Sequence, residues 1–302
     1  MDLAAYLTSI DGTLYYYPNP GNAGDSLIAS ATYQLFRKNN IDIRLITSRR
    51  RFDAKGKIAV YGGGGNFGSD RVGAAPFVKQ YHRDAKRLVV PPHTVNGCET
   101  LLAELGPNVD IICRELTTYH HVAKHATRAN VYLADDVAFG MDISEILKAV
   151  PRPAFPLELL RKLYYRMLRD ARAEEAISLR ATYLSAIFRL SELTKGRKDF
   201  RILHCFRTDR ERTNISIPPG NLDLSKIFAF GTSDVVTASH AAHCLIRIVN
   251  RCETLHTNRL HIAIAGALLG KHVMMYPNNY HKCRSVYEFS MRERFPNVCW
   301  VE

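Results

Sequence analysis

The chain has 302 residues, 46% of them hydrophobic, enough apolar material for one large core or two of ordinary size, and the length favours two. Lys and Arg number 41 against 29 acidic residues, a formal net charge of +12, so anionic partners are expected. Nucleic acid is not expected among them, because zinc-finger spacing, an aromatic RNA-binding signature and a basic heptad helix are all missing.

The seven cysteines are scattered without a Cys-x-x-Cys pair, which argues against a zinc ribbon or a disulfide framework and for a reducing cytoplasm. No window approaches the roughly 20 continuous apolar residues of a membrane span. The start, Met-Asp-Leu-Ala-Ala-Tyr, has neither a basic n-region nor an apolar h-region, so a cleaved signal is not expected. A cytoplasmic protein, at most peripheral at the inner face of the plasma membrane, is the expectation.

In chain order, short apolar runs at 14–17, 43–46, 58–61, 88–90, 111–113 and 131–133 predict strands, and helical spacing predicts helices over 25–37 and 100–105. Such alternation argues for a mostly parallel sheet with helices on its faces, a first domain over 1–150. Three of its loops invite chemistry. Pro18-Asn19-Pro20-Gly21-Asn22-Ala23-Gly24-Asp25 joins the first strand to the first helix, with Asp25 near the cap, where it either only caps or also functions. Tyr61-Gly62-Gly63-Gly64-Gly65-Asn66-Phe67-Gly68 offers a run of unobstructed N–H groups that could cradle a phosphate or let a sugar approach, though it fits neither the Walker nor the dinucleotide pattern. Pro91-Pro92-His93-Thr94 ends the fourth strand and Arg114-Glu115 the fifth, the latter either a local ion pair or part of a site.

Prolines 151, 153 and 156 punctuate the chain, and 157–193 is helical and amphipathic, with Leu159, Leu160, Leu163 and Met167 on one side and Arg161, Lys162, Arg166 and Arg169 on another. This basic connecting segment, 151–198, either packs with a solvated face or docks on anionic headgroups. Alternation then resumes over 199–302 as a second α/β domain: strands at 202–206, 235–237, 253–255 and 273–276, and helices over 241–250 and after Arg259. Two such domains facing across a cleft would surround a ligand with loops from the carboxyl ends of both sheets.

Within the second domain Arg207 ends a strand, and Thr257-Asn258-Arg259-Leu260-His261 opens a helix, capped on Thr257, that stops at Gly270. Helix N–H groups and dipole would point at whatever Arg259 holds, so a phosphate or carboxylate is the natural guest. Arg207 and Arg259 converging would grip both groups of one ligand bidentately. Lys282 is either a third contact or an ordinary surface lysine. His121 and His125 lack the intervening glutamate of a zinc helix, and His240, His243 and Cys244 read as helix packing, so no metal is expected.

Taken together, Asn22-Ala23-Gly24-Asp25, the glycines 62–65, Arg114-Glu115 and Arg259-Leu260-His261 occur in the order of the motifs of the polysaccharide pyruvyl transferase family, which this chain resembles over nearly its whole length. The resemblance implies an α/β fold of two Rossmann-like domains facing across a cleft, as in GT-B glycosyltransferases, with the helical basic segment between them. It implies an enzyme that moves the pyruvyl group of phosphoenolpyruvate onto two hydroxyls of a sugar in an exopolysaccharide or cell-surface glycan, closing a cyclic ketal. Phosphoenolpyruvate is then a substrate and no cofactor is expected. The acceptor is either a lipid-linked oligosaccharide or a finished polymer.

On that reading Arg207, Arg259, Leu260 and Lys282 bind the donor, and the first domain supplies Asn22, Gly63, Gly64, Asn66, His93 and Arg114 around the substrates. His261 is the acid–base candidate, since an imidazole of pKa about 6.5 gives or takes a proton near neutrality. Its alternative role is to hold the leaving phosphate. Asp25 or Asp136 would orient the acceptor hydroxyls. The competing accounts are a GT-B glycosyltransferase using a nucleotide sugar and a non-catalytic glycan-binding module on the same fold.

Overall fold

A computed structural model describes residues 1–68, 73–148, 200–209 and 211–302. The basic segment 157–193 lies outside the described residues. The rest forms a mixed α/β fold with two parallel sheets. The first contains β1 (Leu14–Tyr17), β2 (Ile43–Leu45), β3 (Ile58–Tyr61), β4 (Gly64–Phe67), β5 (Arg87–Val95), β6 (Val109–Cys113) and β7 (Asn130–Leu133). Its order is β2-β1-β3-β5-β6-β7, with β4 alongside the far half of β5. The second sheet, from β8 (Phe200–Cys205), β9 (Cys252–Thr257), β10 (His272–Met275) and β11 (Val298–Trp300), runs β11-β10-β9-β8.

The glycine run is not an open loop: Gly64 and Gly65 begin β4, and Gly62 and Gly63 link it to β3. Residues 62–65 cross between the 18–22 loop and β5, and a side chain would collide there: a Cβ on Gly62 would lie 2.4 Å from the Asn19 nitrogen, and one on Gly63 3.0 Å from the Pro92 oxygen. The glycines therefore bring protein backbone close to protein backbone. β5 also runs past its expected end at Val90, through Pro91 and Pro92 to Val95. Prolines lack the ladder N–H, and the strand accommodates them by shifting register against β6 between Val90 and His93.

The helix Ala23–Lys38 ties the two sheets together. Its small residues are almost all buried, so neighbours approach on every side. Ala29, Tyr33 and Phe36 pack on the first sheet, while Ala23, Leu27, Ile28 and Ala31 join one continuous core with Leu203, Leu245, Leu255, Ile264 and Val273 from around the second sheet. Ser26 Oγ donates to Gly231 O at 3.0 Å along the same seam. Residues 235–237, read from sequence as a strand, are instead the first turn of the helix Val235–Val249. Asp234 caps it by accepting from the Thr237 N–H at 2.8 Å, and a three-residue β-branched run is too short to outweigh that cap.

The helix Leu260–Leu268 is buried on nearly all faces and sits tightly on β9 and β10. The contact is close enough that a Cβ on Gly266 would come within 2.8 Å of both Leu255 and Val273 side chains. Thr257 is not its cap. The N-terminal flanking residue is Arg259, and Thr257 ends β9, its hydroxyl donating to Cys205 O at 2.8 Å and accepting from the Arg259 N–H at 3.0 Å. Among the described residues, no helix is long and apolar enough to cross a membrane.

Candidate active site

Parallel strands deliver the loops at their carboxyl ends to one side of a sheet, and here both sheets deliver them to one cavity. It has a volume of about 230 Å³ and draws Asn22 and Asp25 from beyond β1, Gly65 and Asn66 from β4, and Arg114 from beyond β6. The second sheet contributes Arg207 and Glu211 after β8, Arg259, Leu260 and His261 after β9, and Lys282 after β10. The helices Ala23–Lys38 and Leu260–Leu268 both begin at this cavity, so two sets of first-turn N–H groups and two positive dipole ends meet there.

Arg114 is fully buried and does not pair with its neighbour Glu115. Successive residues after a strand diverge: Glu115 caps the helix Leu116–His125, accepting from the Thr118 N–H at 2.8 Å and from the Thr118 hydroxyl. Arg114 instead donates from Nε to Thr94 Oγ1 at 2.8 Å and from Nη1 to Asp136 at 2.7 Å. Its Nη2 is buried without a hydrogen-bond partner among the described residues. That nitrogen faces Gly65, where a Cβ would come within 2.6 Å of it, so a glycine keeps its approach open. A buried, unpaired guanidinium donor is costly and calls for an acceptor.

The second-sheet wall differs. Arg259 presents the Nε–Nη2 edge to Asp223, at 3.0 and 2.6 Å, and Nη1 to Asp209 at 2.8 Å. Arg207 holds Asp209 through Nε at 2.8 Å and Glu211 through Nη1 at 2.6 Å, and Lys282 Nζ donates to Glu211 at 2.8 Å. Burial opposes charge on Asp209 and Glu211, but the surrounding cations outweigh it and hold both carboxyls below their usual range. The expected convergence of Arg207 and Arg259 is present, and their surroundings are not simply basic. Nothing in the sequence singles out Asp209, Glu211 and Asp223, because single acidic residues in loops carry no spacing signal. The same holds for Asn258, whose side chain accepts from the Arg207 N–H at 2.8 Å.

His261 Nε2 lies 3.3 Å from Asp136 Oδ2 and 3.5 Å from Arg114 Nη1. Nε2 thus sits between a group that only donates and one that only accepts, and a proton carried on Nε2 points toward Asp136. Nδ1 sits on the side of Gly24, where a Cβ would come within 2.8 Å of it. Two carboxyls close to His261 are driven apart. Burial pushes Asp25 up, against the pull of His261, the Asn22 N–H, Lys282 and Arg114. Burial would raise Asp136 too, but the charge and hydrogen bond of His261, together with Arg114, hold it well below the usual carboxylate range.

Not every residue expected at the site reaches it. Asp136 is 1% exposed and does not line the cavity, so it touches His261 and Arg114 rather than an acceptor hydroxyl. His93 is also buried behind the lining, its Nε2 3.1 Å from Asn66 Oδ1. Burial, then the charge of Arg114, pushes it down to about 3, so it is neutral at physiological pH. Gly63 and Gly64 are packed against Asn19 and Pro92 rather than open to a ligand, with Gly63 O accepting from Asn19 Nδ2 at 3.2 Å. Asp25 does line the cavity, yet its oxygens already accept from the Asn22 N–H at 2.9 Å and Asn19 Nδ2 at 3.1 Å. Asn22, Asn66, Arg114, Arg207, Arg259, Leu260, His261 and Lys282 come together at the cavity surface.

The family model of the polysaccharide pyruvyl transferases matches residues 22–280, and the chain belongs to that family. The solved structures include an uncharacterized protein from Klebsiella pneumoniae subsp. pneumoniae that is 25% identical, with a TM-score of 0.74 over all of this chain and 96% of that one. No curated protein matches the chain.

Proposed function

We propose that this enzyme transfers the pyruvyl group of phosphoenolpyruvate to two hydroxyls of one sugar in an exopolysaccharide or cell-surface glycan, forming a cyclic ketal. The observation that carries the reading is Arg114 Nη2, a buried donor without a partner among the described residues, at a cavity that two helix N-termini also enter. A small trianion satisfies that donor and suits those dipoles. A volume of about 230 Å³ falls below the roughly 300–1,000 Å³ of pockets for drug-sized ligands, which favours a three-carbon donor over a nucleotide sugar.

In this reading the two sheets are the cores of two GT-B-like domains, over 1–150 and 199–302. The first sugar hydroxyl adds to C2 of the donor while a proton goes to the methylene carbon, which becomes methyl. Phosphate leaves, the second hydroxyl closes on C2, and its proton departs with the phosphate. His261 Nδ1 is the atom that exchanges protons with the substrates, while Asp136 fixes the ring through Nε2 and stabilises the imidazolium. Arg114 neutralises the donor directly. Arg207, Arg259 and Lys282 present a pre-set wall to it, and Asp25 faces the acceptor side.

Phosphate release from phosphoenolpyruvate in the presence of galactoside, glucoside or mannoside acceptors, with mass spectrometry of the sugars, tests this. A sugar gaining the mass of a pyruvyl ketal is expected. Thermal stabilisation by nucleotide sugars and not by phosphoenolpyruvate would reject it in favour of glycosyl transfer, and sugar binding without turnover of any acceptor would point to a binding module. The proposed setting is the inner face of the plasma membrane, and indifference to anionic vesicles in sedimentation would remove it.

A further inference from the structure

A second concavity, of about 390 Å³, is walled by the start of the helix Leu116–His125, by Asp135 after β7, and by residues 285–294. Along that last stretch the helix Lys282–Val286 passes into a π-helical turn, Tyr287–Met291, a geometry that gathers at functional sites. The groove borders the candidate active site through the chain itself. Asp136 turns to His261 while its neighbour Asp135 turns to the groove and pairs with Arg294 at 2.9 Å. Lys282 lines the active-site cavity and Ser285, three residues on and about 4.5 Å along the helix axis, lines the groove.

Its lining is unfinished in a particular way. Ser290 is 5% exposed, and its buried hydroxyl has no hydrogen-bond partner among the described residues. Glu293 is exposed and makes no ion pair among the described residues, while Leu116, 47% exposed, and Phe289 supply apolar surface. The carboxylates do not make a cation site. Asp135 and Glu288 already pair with Arg294 and Arg284, and no group of three His, Cys, Asp or Glu among the described residues could hold a metal ion. Carboxylate acceptors, a free hydroxyl and an apolar plate suit a pyranose, which has O–H donors around its rim and a C–H face.

We propose that this groove is a saccharide subsite holding the unit next to the sugar that receives the pyruvyl group. The proposal rests on the pyruvyl transfer reading above. Mono- and trisaccharides of β-linked galactose, glucose and mannose serve as probes, with affinities measured by calorimetry for the full chain and for the variants Glu293→Ala and Thr117→Tyr. Both substituted positions are exposed, and phosphoenolpyruvate affinity reports that each variant is folded.

In at least one series the trisaccharide should bind about tenfold more tightly than the monosaccharide, and both variants should erase that advantage. No advantage in any series, or an advantage that survives both substitutions, overturns the subsite. A trisaccharide advantage lost in the variants, in a protein that neither binds nor turns over phosphoenolpyruvate, would support the groove and strike the donor reading alone.

Discussion

The two walls of the active-site cavity hold their cations in opposite ways. On the second-sheet wall, Asp209, Glu211 and Asp223 occupy much of the hydrogen-bonding capacity of Arg207, Arg259 and Lys282. On the first-sheet wall, Arg114 is anchored through Nε and Nη1 but keeps Nη2 unpaired among the described residues. Saturation makes a rigid surface whose shape is set before a ligand arrives, whereas an unpaired buried donor stores a penalty that only a ligand relieves. The free capacity for an anion therefore sits on Arg114 more than on the arginine pair that the sequence makes conspicuous.

The comparison breaks first at Arg114. Arg114→Met leaves the buried Asp136 without its guanidinium and should cost about 3–5 kcal/mol in urea denaturation, the usual result of stranding one partner of a buried pair. Arg114→Lys keeps a charge and should retain more stability, yet lose about 100-fold or more in phosphoenolpyruvate affinity by calorimetry, because the second N–H toward the ligand is gone. Wild-type donor affinity in the lysine variant would mean that Nη2 has no anion to hold.

His261→Gln comes next. Phosphate release should slow about 100-fold or more while donor affinity changes only a few-fold, the signature of a lost proton transfer rather than a lost grip. Near-normal turnover would remove His261 from acid–base work. Arg259→Lys should weaken the donor about tenfold, through Asp209 and Asp223 losing the fork that positions them. In a double-mutant cycle with Asp223→Asn the two effects should be strongly non-additive, and simple additivity would show that Arg259 grips the donor independently of that carboxylate.

What the sequence disclosed follows physical periodicity and local chemistry. The strands Leu14–Tyr17 and Ile58–Tyr61 were readable residue for residue, because a buried parallel strand is a short apolar run between turn residues. The site loops were visible for the same reason, since they follow those strands. β4 was not legible: the four glycines 62–65, of which the strand takes the last two, look like a flexible loop, and only the approach of Asn19 and Pro92 to that run explains why side chains are excluded. The sequence leaves Arg114-Glu115 as either a local ion pair or part of a site, because adjacency hides that the two side chains leave a strand end in different directions. Its true partner, Asp136, lies one strand further on, a pairing set by the β6–β7 register, which a single sequence does not carry.

The smallest expected effect concerns the layer behind the first-sheet wall. His93 titrates at about 6.5 in an unfolded chain, and burial next to Arg114 lowers it to about 3 in the fold. As pH falls below 6.5 the unfolded state takes up a proton that the folded state refuses, so the stability this group contributes is complete above 6.5 and is lost on the way down to about 3. Asp25 works in the other sense. Its raised folded pKa makes its contribution complete below the unfolded carboxyl value and lost as pH rises through the folded one. Because Asp25 is shared by wild type and His93→Gln, comparing the two isolates the histidine, and a glutamine can still bond Asn66. Between pH 7.5 and 5.5, wild type should lose about 1 kcal/mol more stability than the variant in urea denaturation. Equal losses would mean that His93 accepts a proton within the fold, and that the wall carrying Arg114 is wetter than its packing implies.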